Sequence, residues 1–295
     1  MTRPPLSIVV PSRDRPEQLA RCVASVRAAM GPEDELIVVD SASQPPIALA
    51  DTRVVRVERP GVNRARNAGW HAATHDLLAY VDDDVVVDPG WADAFATSAA
   101  AHPDAAFITG RLGPLDAGTH HGGVAVKDDA DPATLDDDSR GDLGHGANLL
   151  VRAEALAAVG GWDDALGNGG RFKSAPEADL YDRLFAAGYL GRYEPTAAAR
   201  HEQWRSPAQL VRLDWRYGFG NGARLAKLVR TDRRRARRVG GEALWGWGLQ
   251  RFGAPLRDRN KTEVARVAAR LAGTAAGFAR AAFVPVRNGH FVDRW

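Results

Sequence analysis

Leu77-Leu78-Ala79-Tyr80-Val81-Asp82-Asp83-Asp84 is a short apolar run that stops abruptly at three carboxylates. A continuous apolar run of this length predicts a strand buried on both faces. The carboxylates then fall where the strand leaves the sheet, on the C-terminal edge that carries ligands in open α/β sheets. Three adjacent like charges repel each other, so the cluster needs water or a cation to offset it. Hard divalent cations, Mg²⁺ or Mn²⁺, take oxygen ligands of this type and bridge phosphates. The stretch points to a metal–diphosphate site; the competing reading is a solvated acidic turn ahead of Pro89-Gly90.

Outward from this stretch, strands and helices alternate. Residues 6–10 predict a first buried strand closed by Pro11. Residues 16–26 carry apolar side chains near helical spacing, with Asp14 placed to cap that helix and Pro16 in its first turn. Residues 36–40 predict a second strand, 53–57 a third, and 63–74 a helix leading into Leu77. The alternation implies a mostly parallel α/β sheet flanked by helices. Ser12 to Asp14, Asp40 and Asp82 to Asp84 all follow strands. A helix cap explains any one of them; their convergence on one edge is the stronger signal.

Composition sets the bounds. The 295 residues are 45% hydrophobic, which suits one large domain or one domain with an extension and argues against wholesale disorder. A single cysteine, Cys22, excludes an internal disulfide and a Cys-rich zinc site, and fits a reducing compartment. Met1 to Pro5 lacks the apolar core of a signal peptide, and no uncharged apolar run reaches the ~20 residues needed to span a bilayer. A cytoplasmic protein is expected. Residues 1–199 hold 18 Lys and Arg against 30 Asp and Glu, a net of −12, whereas residues 200–295 hold 21 against 7, a net of +14. Such asymmetry implies a catalytic body, residues 1–205, and a helical basic C-terminal extension, residues 206–295, with a different partner.

Ser7-Ile8-Val9-Val10-Pro11-Ser12-Arg13-Asp14-Arg15, Val38-Val39-Asp40-Ser41, Ala65-Arg66-Asn67-Ala68-Gly69 and Val81-Asp82-Asp83-Asp84 come in the order and spacing of glycosyltransferase family 2. Gly146 to Arg152, Val159-Gly160-Gly161-Trp162-Asp163 and Glu177 to Leu184 resemble the second half of that pattern. The resemblance covers roughly residues 6–201, about two thirds of the chain. Each segment alone is common; their order carries the signal. The resemblance implies a GT-A type nucleotide-binding fold, with a donor half near residues 1–110 and an acceptor half near 111–205. It also implies inverting transfer from a nucleotide-diphospho-sugar, UDP-linked by preference.

The resemblance also assigns roles. Pro11 and Arg13 would line the nucleotide, and Asp40 would contact its base. An acidic acceptor after a strand can take hydrogen bonds from a nucleobase N–H. The family's usual second acid and glycine are replaced here by Ser41-Ala42-Ser43. Arg66 would pair with the diphosphate, or else be a surface helix arginine, while Asn67 and Gly69 would shape the helix around the donor. Asp82 would face the ribose or sugar and also ligate the metal, and Asp84 would coordinate the metal with Asp83 assisting; the metal would be a Lewis acid for the departing diphosphate. His201 would be a further metal ligand, with a structural histidine as the equal alternative. Asn148, Trp162 and Asp163 fall in the acceptor-side segments; Trp162 would stack on a sugar or sit in the core. The family's Glu-Asp before x-Asp-Leu is Pro176-Glu177-Ala178-Asp179-Leu180 here, so Glu177 takes the place of the general base, with Asp179 second. Both acids also suit a helix N-terminus.

Residues 128–138 are acidic and loop-like, a solvated insertion or a lid. From Ser206 the pattern is helical. The run Arg233-Arg234-Arg235-Ala236-Arg237-Arg238 is strongly basic, and residues 262–283 place Val264, Val267, Leu271 and Phe278 on one stripe. Such a helix lies on an anionic membrane or packs on the body. The reading is a metal-assisted glycosyltransferase acting on a saccharide, lipid-linked or small-molecule hydroxyl, as in polysaccharide biosynthesis, with peripheral contact at the inner membrane face. The alternatives are a sugar nucleotidyltransferase, which would need a basic Gly-rich loop that Pro11-Ser12-Arg13-Asp14 does not supply, and a non-catalytic nucleotide-sugar- or nucleic-acid-binding protein. The acidic body argues against broad nucleic-acid contact.

Overall fold

A computed structural model of the chain describes residues 3–115, 126–139, 141–202, 206–242 and 260–292. These residues form two compact units. One holds residues up to Trp162 together with Leu180–Gln203; the other holds Asp163–Asp179 together with the segment from Trp204 onward. The expected boundary at residue 205 lies among residues outside the described set, and residues 163–179 group with the C-terminal unit.

In the first unit the elements run β1 (Ser7–Ser12), α1 (Pro16–Ala29), β2 (Glu35–Ser41), β3 (Arg53–Val57), α2 (Val62–Ala72), β4 (Leu77–Val81), β5 (Val85–Val87), α3 (Trp91–Ala101), β6 (Ala105–Pro114), β7 (Ala133–Leu135), β8 (Asn148–Arg152), α4 (Ala153–Ala158) and β9 (Leu190–His201). Helix α5 (Pro176–Ala186) precedes β9. Among the described residues these strands form one nine-stranded sheet in the order β3-β2-β1-β4-β8-β6-β9-β5, with β7 on β9. The expected parallel half is β3-β2-β1-β4. Beyond it β4–β8 and β8–β6 run antiparallel, β6–β9 parallel and β9–β5 antiparallel.

The two-residue period of the strands divides the core. Ile8, Val10, Val38, Ala79 and Val81 pack on one face with Leu19, Cys22, Val23 and Val26 of α1 and Trp91 and Phe95 of α3. Val9, Ile37, Val39, Leu78 and Tyr80 pack on the other with Ala65 of α2, Leu156 of α4 and Leu180 and Leu184 of α5. Apolar residues on both parities are why these strands read as continuous hydrophobic runs. Pro16 opens α1 as expected, but Asp14 does not cap it: α1 has no side-chain cap bond. Asp14 instead sits at φ 55 and accepts the Gln44 N–H at 2.8 Å. The acidic segment 128–138 is not all loop either, since Ala133–Leu135 adds an edge strand antiparallel to β9.

The second unit contains α6 (Pro207–Thr231), α7 (Arg233–Glu242), α8 (Lys261–Ala281) and the hairpin β10 (Val286–Arg287) and β11 (His290–Phe291). Ser206 and Gln209 start α6 with reciprocal capping bonds. The arginine run is helix α7. On α8 the buried residues are Val267, Gly273, Gly277 and Ala281, and Phe278 of the expected stripe is 37% exposed. The reason is backbone contact. A Cβ on Gly273 or Gly277 would collide with the backbone of Trp215 and Phe219 on α6, and one on Gly218 or Gly222 with that of Arg270 and Thr274 on α8. Asp214 of α6 binds Arg266 (2.7 Å) and Arg270 (3.4 Å) across the same pair. Ala165, Leu166 and Phe172 of the 163–179 segment form a small core with Ala223, Ala226, Ala281, Val284 and Phe291. No described helix is long and apolar enough to cross a membrane.

Candidate functional site

The parallel register aligns Ser12 of β1 with Asp40 of β2 and sets β1 beside β4. The C-terminal ends of these strands therefore share an edge, and Asp82, Asp83 and Asp84 meet the end of β1 there. Ser12 Oγ donates to Asp83 Oδ2 at 2.7 Å. Arg15 Nη1 donates to Asp83 Oδ1 at 2.9 Å and to Asp84 Oδ2 at 3.1 Å. On the other side of Asp84, Oδ1 lies 3.2 Å from His201 Nε2; β9 carries His201 to this edge because β5 pairs Val85 with it. Burial pushes the Asp83 carboxyl up to about 6; Arg15 and the Ser12 hydroxyl oppose this, while the charges of Asp84 and Asp82 add to it.

Arg66 reaches the same edge from α2. It is 2% exposed, so it is not a surface helix arginine. Its Nη2 donates to Asp82 Oδ1 at 2.9 Å and to the Gly146 carbonyl at 3.1 Å, and its guanidinium stacks on Trp162 at 4.6 Å. Its Nε and Nη1 have no hydrogen-bond partner, and neither does His201 Nδ1. Buried polar atoms left in this state are costly, and a bound ion, ligand or water would satisfy them.

A divalent cation fits part of this set. Adjacent ligands of an octahedral cation with bonds of about 2.1 Å lie about 3 Å apart, which matches the 3.2 Å between Asp84 Oδ1 and His201 Nε2. Among the described residues no three His, Cys, Asp or Glu side chains are grouped as a complete cage. That suits a cation which keeps water and phosphate oxygens as its other ligands. Asp82, the third residue of the expected set, pairs with Arg66.

The other expected residues are placed as follows. Pro11 pairs with Val39 within β1 and β2, and Arg13 is exposed beside Asp14. Asp40 is 1% exposed and accepts from Ser43 N (2.8 Å), Ile47 N (3.1 Å) and Arg56 Nη1 (2.5 Å). Burial works to raise its pKa, but these donors outweigh it and hold the carboxyl below its usual range. Asn67 clamps the Trp162 backbone with two 2.9 Å bonds, and a Cβ on Gly69 would strike Val9. Trp162 is 1% exposed, edge-on to Tyr80, and offers no face to a sugar. Asn148 is fully buried, accepting from Trp91 Nε1 at 2.7 Å and donating to the carbonyls of Arg111 and Ala197 at 2.8 Å.

In the second unit, Lys227 binds Asp163 at 2.6 Å and Asp179 at 2.5 Å, with all three side chains nearly sealed from water. Burial opposes ionisation of Asp163, but Lys227 and the Phe291 N–H outweigh it and hold the carboxyl below its usual range. Glu177 lies in the first turn of α5 and is half-buried, just after Ala175 in a left-handed conformation (φ 64). Non-glycine residues held there are strained, and such strain clusters at functional turns. Sequence reasoning missed Arg15 and Lys227. The Arg15 signal was present, an arginine next to the strand end; Lys227 had none, because its partners lie far away along the chain.

The fold is of the GT-A type, and residues 7–124 match the sequence profile described as Glycosyl transferase family 2. A pre-mycofactocin glycosyltransferase of Mycobacterium tuberculosis is 29% identical over 271 residues, covering 85% of this chain and 53% of the relative. The chain thus spans about half the length of that relative. A mannosyltransferase, PcManGT, from Pyrobaculum calidifontis, solved with GDP-Man and Mn²⁺, has a TM-score of 0.60 at 15% identity, covering 94% of this chain and 88% of the other. TarS residues 1–349 from S. aureus, solved with UDP, has a TM-score of 0.55 at 14% identity with the same two coverages, 94% and 88%. These structural likenesses establish the fold.

Proposed function

We propose that the chain transfers a sugar from a nucleoside-diphospho-sugar, UDP-linked by preference, to a hydroxyl of a saccharide, glycolipid or small-molecule acceptor, with inversion. The observation that carries this reading is the convergence of Asp82, Asp83, Asp84, His201, Arg15 and Arg66 on one sheet edge. Breaking the glycosidic bond leaves negative charge on the diphosphate, and pre-placed positive charge lowers that barrier. Asp84 and His201, with Asp82 nearby, would hold Mg²⁺ or Mn²⁺, which when bound acts as a Lewis acid toward the leaving diphosphate. Arg66, with two donors unpartnered, would take phosphate oxygens.

Inversion requires the acceptor oxygen to attack the anomeric carbon from the face opposite the diphosphate. Its proton must go to a base, and Glu177 is the carboxylate we assign. Asp179 is the weaker candidate because Lys227 engages its carboxylate. We further place the chain at the inner face of an anionic membrane, on the strength of the net +14 over residues 200–295.

Thermal unfolding of the full chain with UDP, GDP, dTDP and CDP, each with and without Mn²⁺, tests the reading. A nucleotide present at 100 times its Kd stabilises the fold by about 2.7 kcal/mol. A metal-dependent rise with one of them supports the proposal; no rise with any of them overturns it.

A further inference from the structure

We propose that Arg15 is an internal counter-cation for Asp83 and Asp84, which a nucleotide diphosphate draws away as a divalent cation takes its place. Nucleotide and metal then bind cooperatively. The inference rests on the nucleotide-sugar reading above and adds a coupling that the reading does not contain.

Arg15 Nη1 spans an oxygen of each carboxylate, at 2.9 and 3.1 Å. The remaining Asp83 oxygen accepts from Ser12, and the remaining Asp84 oxygen faces His201. The Asp83 and Asp84 side chains are 7% and 4% exposed. Two neighbouring carboxylates so far from water need positive charge against them, and the guanidinium provides it. Asp82 has its own arginine, Arg66. Of these groups, three carboxylates face two guanidiniums, a net of −1. A divalent cation added with Arg15 in place takes the cluster to +1 and sets two positive centres against Asp84. A diphosphate arriving with the metal reverses that sign and offers planar, anionic oxygens suited to a guanidinium fork. Arg15 has room to move: its side chain is 31% exposed, and its backbone lies ahead of α1 rather than inside it.

The test measures Mn²⁺ binding to the full chain by electron paramagnetic resonance of free Mn²⁺, with and without UDP or GDP, for the parent, Arg15→Gln and Arg15→Lys. Without nucleotide, Arg15→Gln should bind Mn²⁺ at least about 10-fold more tightly than the parent, within the range of ordinary site–site coupling. Arg15→Lys, which keeps the charge, should stay near the parent. Nucleotide should tighten Mn²⁺ binding strongly in the parent and less in Arg15→Gln. By linkage, Mn²⁺ must tighten nucleotide binding by the same factor. Arg15→Gln binding Mn²⁺ no more tightly than the parent overturns the proposal. If that variant does not fold, the parent alone decides: Mn²⁺ affinity unchanged by a nucleotide that demonstrably binds also overturns it. Failure of every nucleotide to bind the parent, with Mn²⁺ present, instead removes the donor reading underneath.

Discussion

Replacing Gly277 by alanine tests how α6 and α8 are held together. A methyl there would stand 2.7 Å from the Phe219 carbonyl carbon and 2.9 Å from its Cα, with the carbonyl oxygen nearer still. Unstrained carbon pairs rest at about 3.5–4.0 Å, so the helices must part locally by about 1 Å. The obstacle is helical backbone, which cannot rotate aside as a side-chain tip can. Parting also lifts Gly218, Gly222 and Gly273 off their partners and stretches the Asp214–Arg266 bond. On an open helix face a glycine-to-alanine change gains about 0.5–1 kcal/mol, whereas overpacking costs about 1–3 kcal/mol. The expected net is a loss of about 1–2 kcal/mol. Gly241→Ala on α7, where a Cβ meets nothing within 4 Å, is the control and should be neutral or stabilising by up to about 1 kcal/mol. Urea unfolding followed by circular dichroism reads both, a midpoint shift at constant slope reporting stability. Gly277→Ala as stable as the parent would refute the backbone-contact argument.

Three further outcomes are expected. Asp163→Asn should destabilise the fold at neutral pH, in the range of about 3–5 kcal/mol typical of breaking a buried pair. Because the folded pKa of Asp163 is depressed, its contribution is present above the unfolded value near 3.9 and is lost as pH falls through the folded value. The gap between parent and variant in thermal melts should therefore be full near pH 6–7 and shrink below about pH 4; a gap independent of pH removes the charge from the explanation. Glu177→Gln should keep nucleotide binding and lower turnover by about 10²-fold or more, whereas Asp179→Asn should lose stability first, through Lys227. Near-parental turnover for Glu177→Gln moves the base elsewhere. Finally, the charge of residues 200–295 predicts binding to anionic vesicles that weakens with salt, and co-sedimentation showing none at low salt ends the membrane reading.

The sheet and its edge were legible in the sequence. Unbroken apolar runs ending in Ser12, Asp40 and Asp82 announce buried parallel strands with polar C-terminal ends, because strand length, side-chain parity and strand ends are local properties. The need for a counter-charge at Asp82 to Asp84 was legible for the same reason: three adjacent carboxylates require one wherever they sit. Which counter-charge they meet was not. Arg15 on Asp83 and Asp84, Lys227 on Asp163 and Asp179, and the glycines of α6 against α8 are pairings across long stretches of chain, and only the tertiary structure decided them. It also decided the opposite cases. Asn67, Asn148 and Trp162 lie in motif segments, yet their hydrogen bonds and faces are spent inside the protein. Of the apolar stripe of α8, Val267 is buried but Phe278 is exposed, and glycines take the close contact with α6. A residue's type and neighbours determine its charge, its reach and its backbone preference. Its partner depends on where the remainder of the chain packs, and a glycine carries no hydrophobic signal to show that another backbone will lie against it.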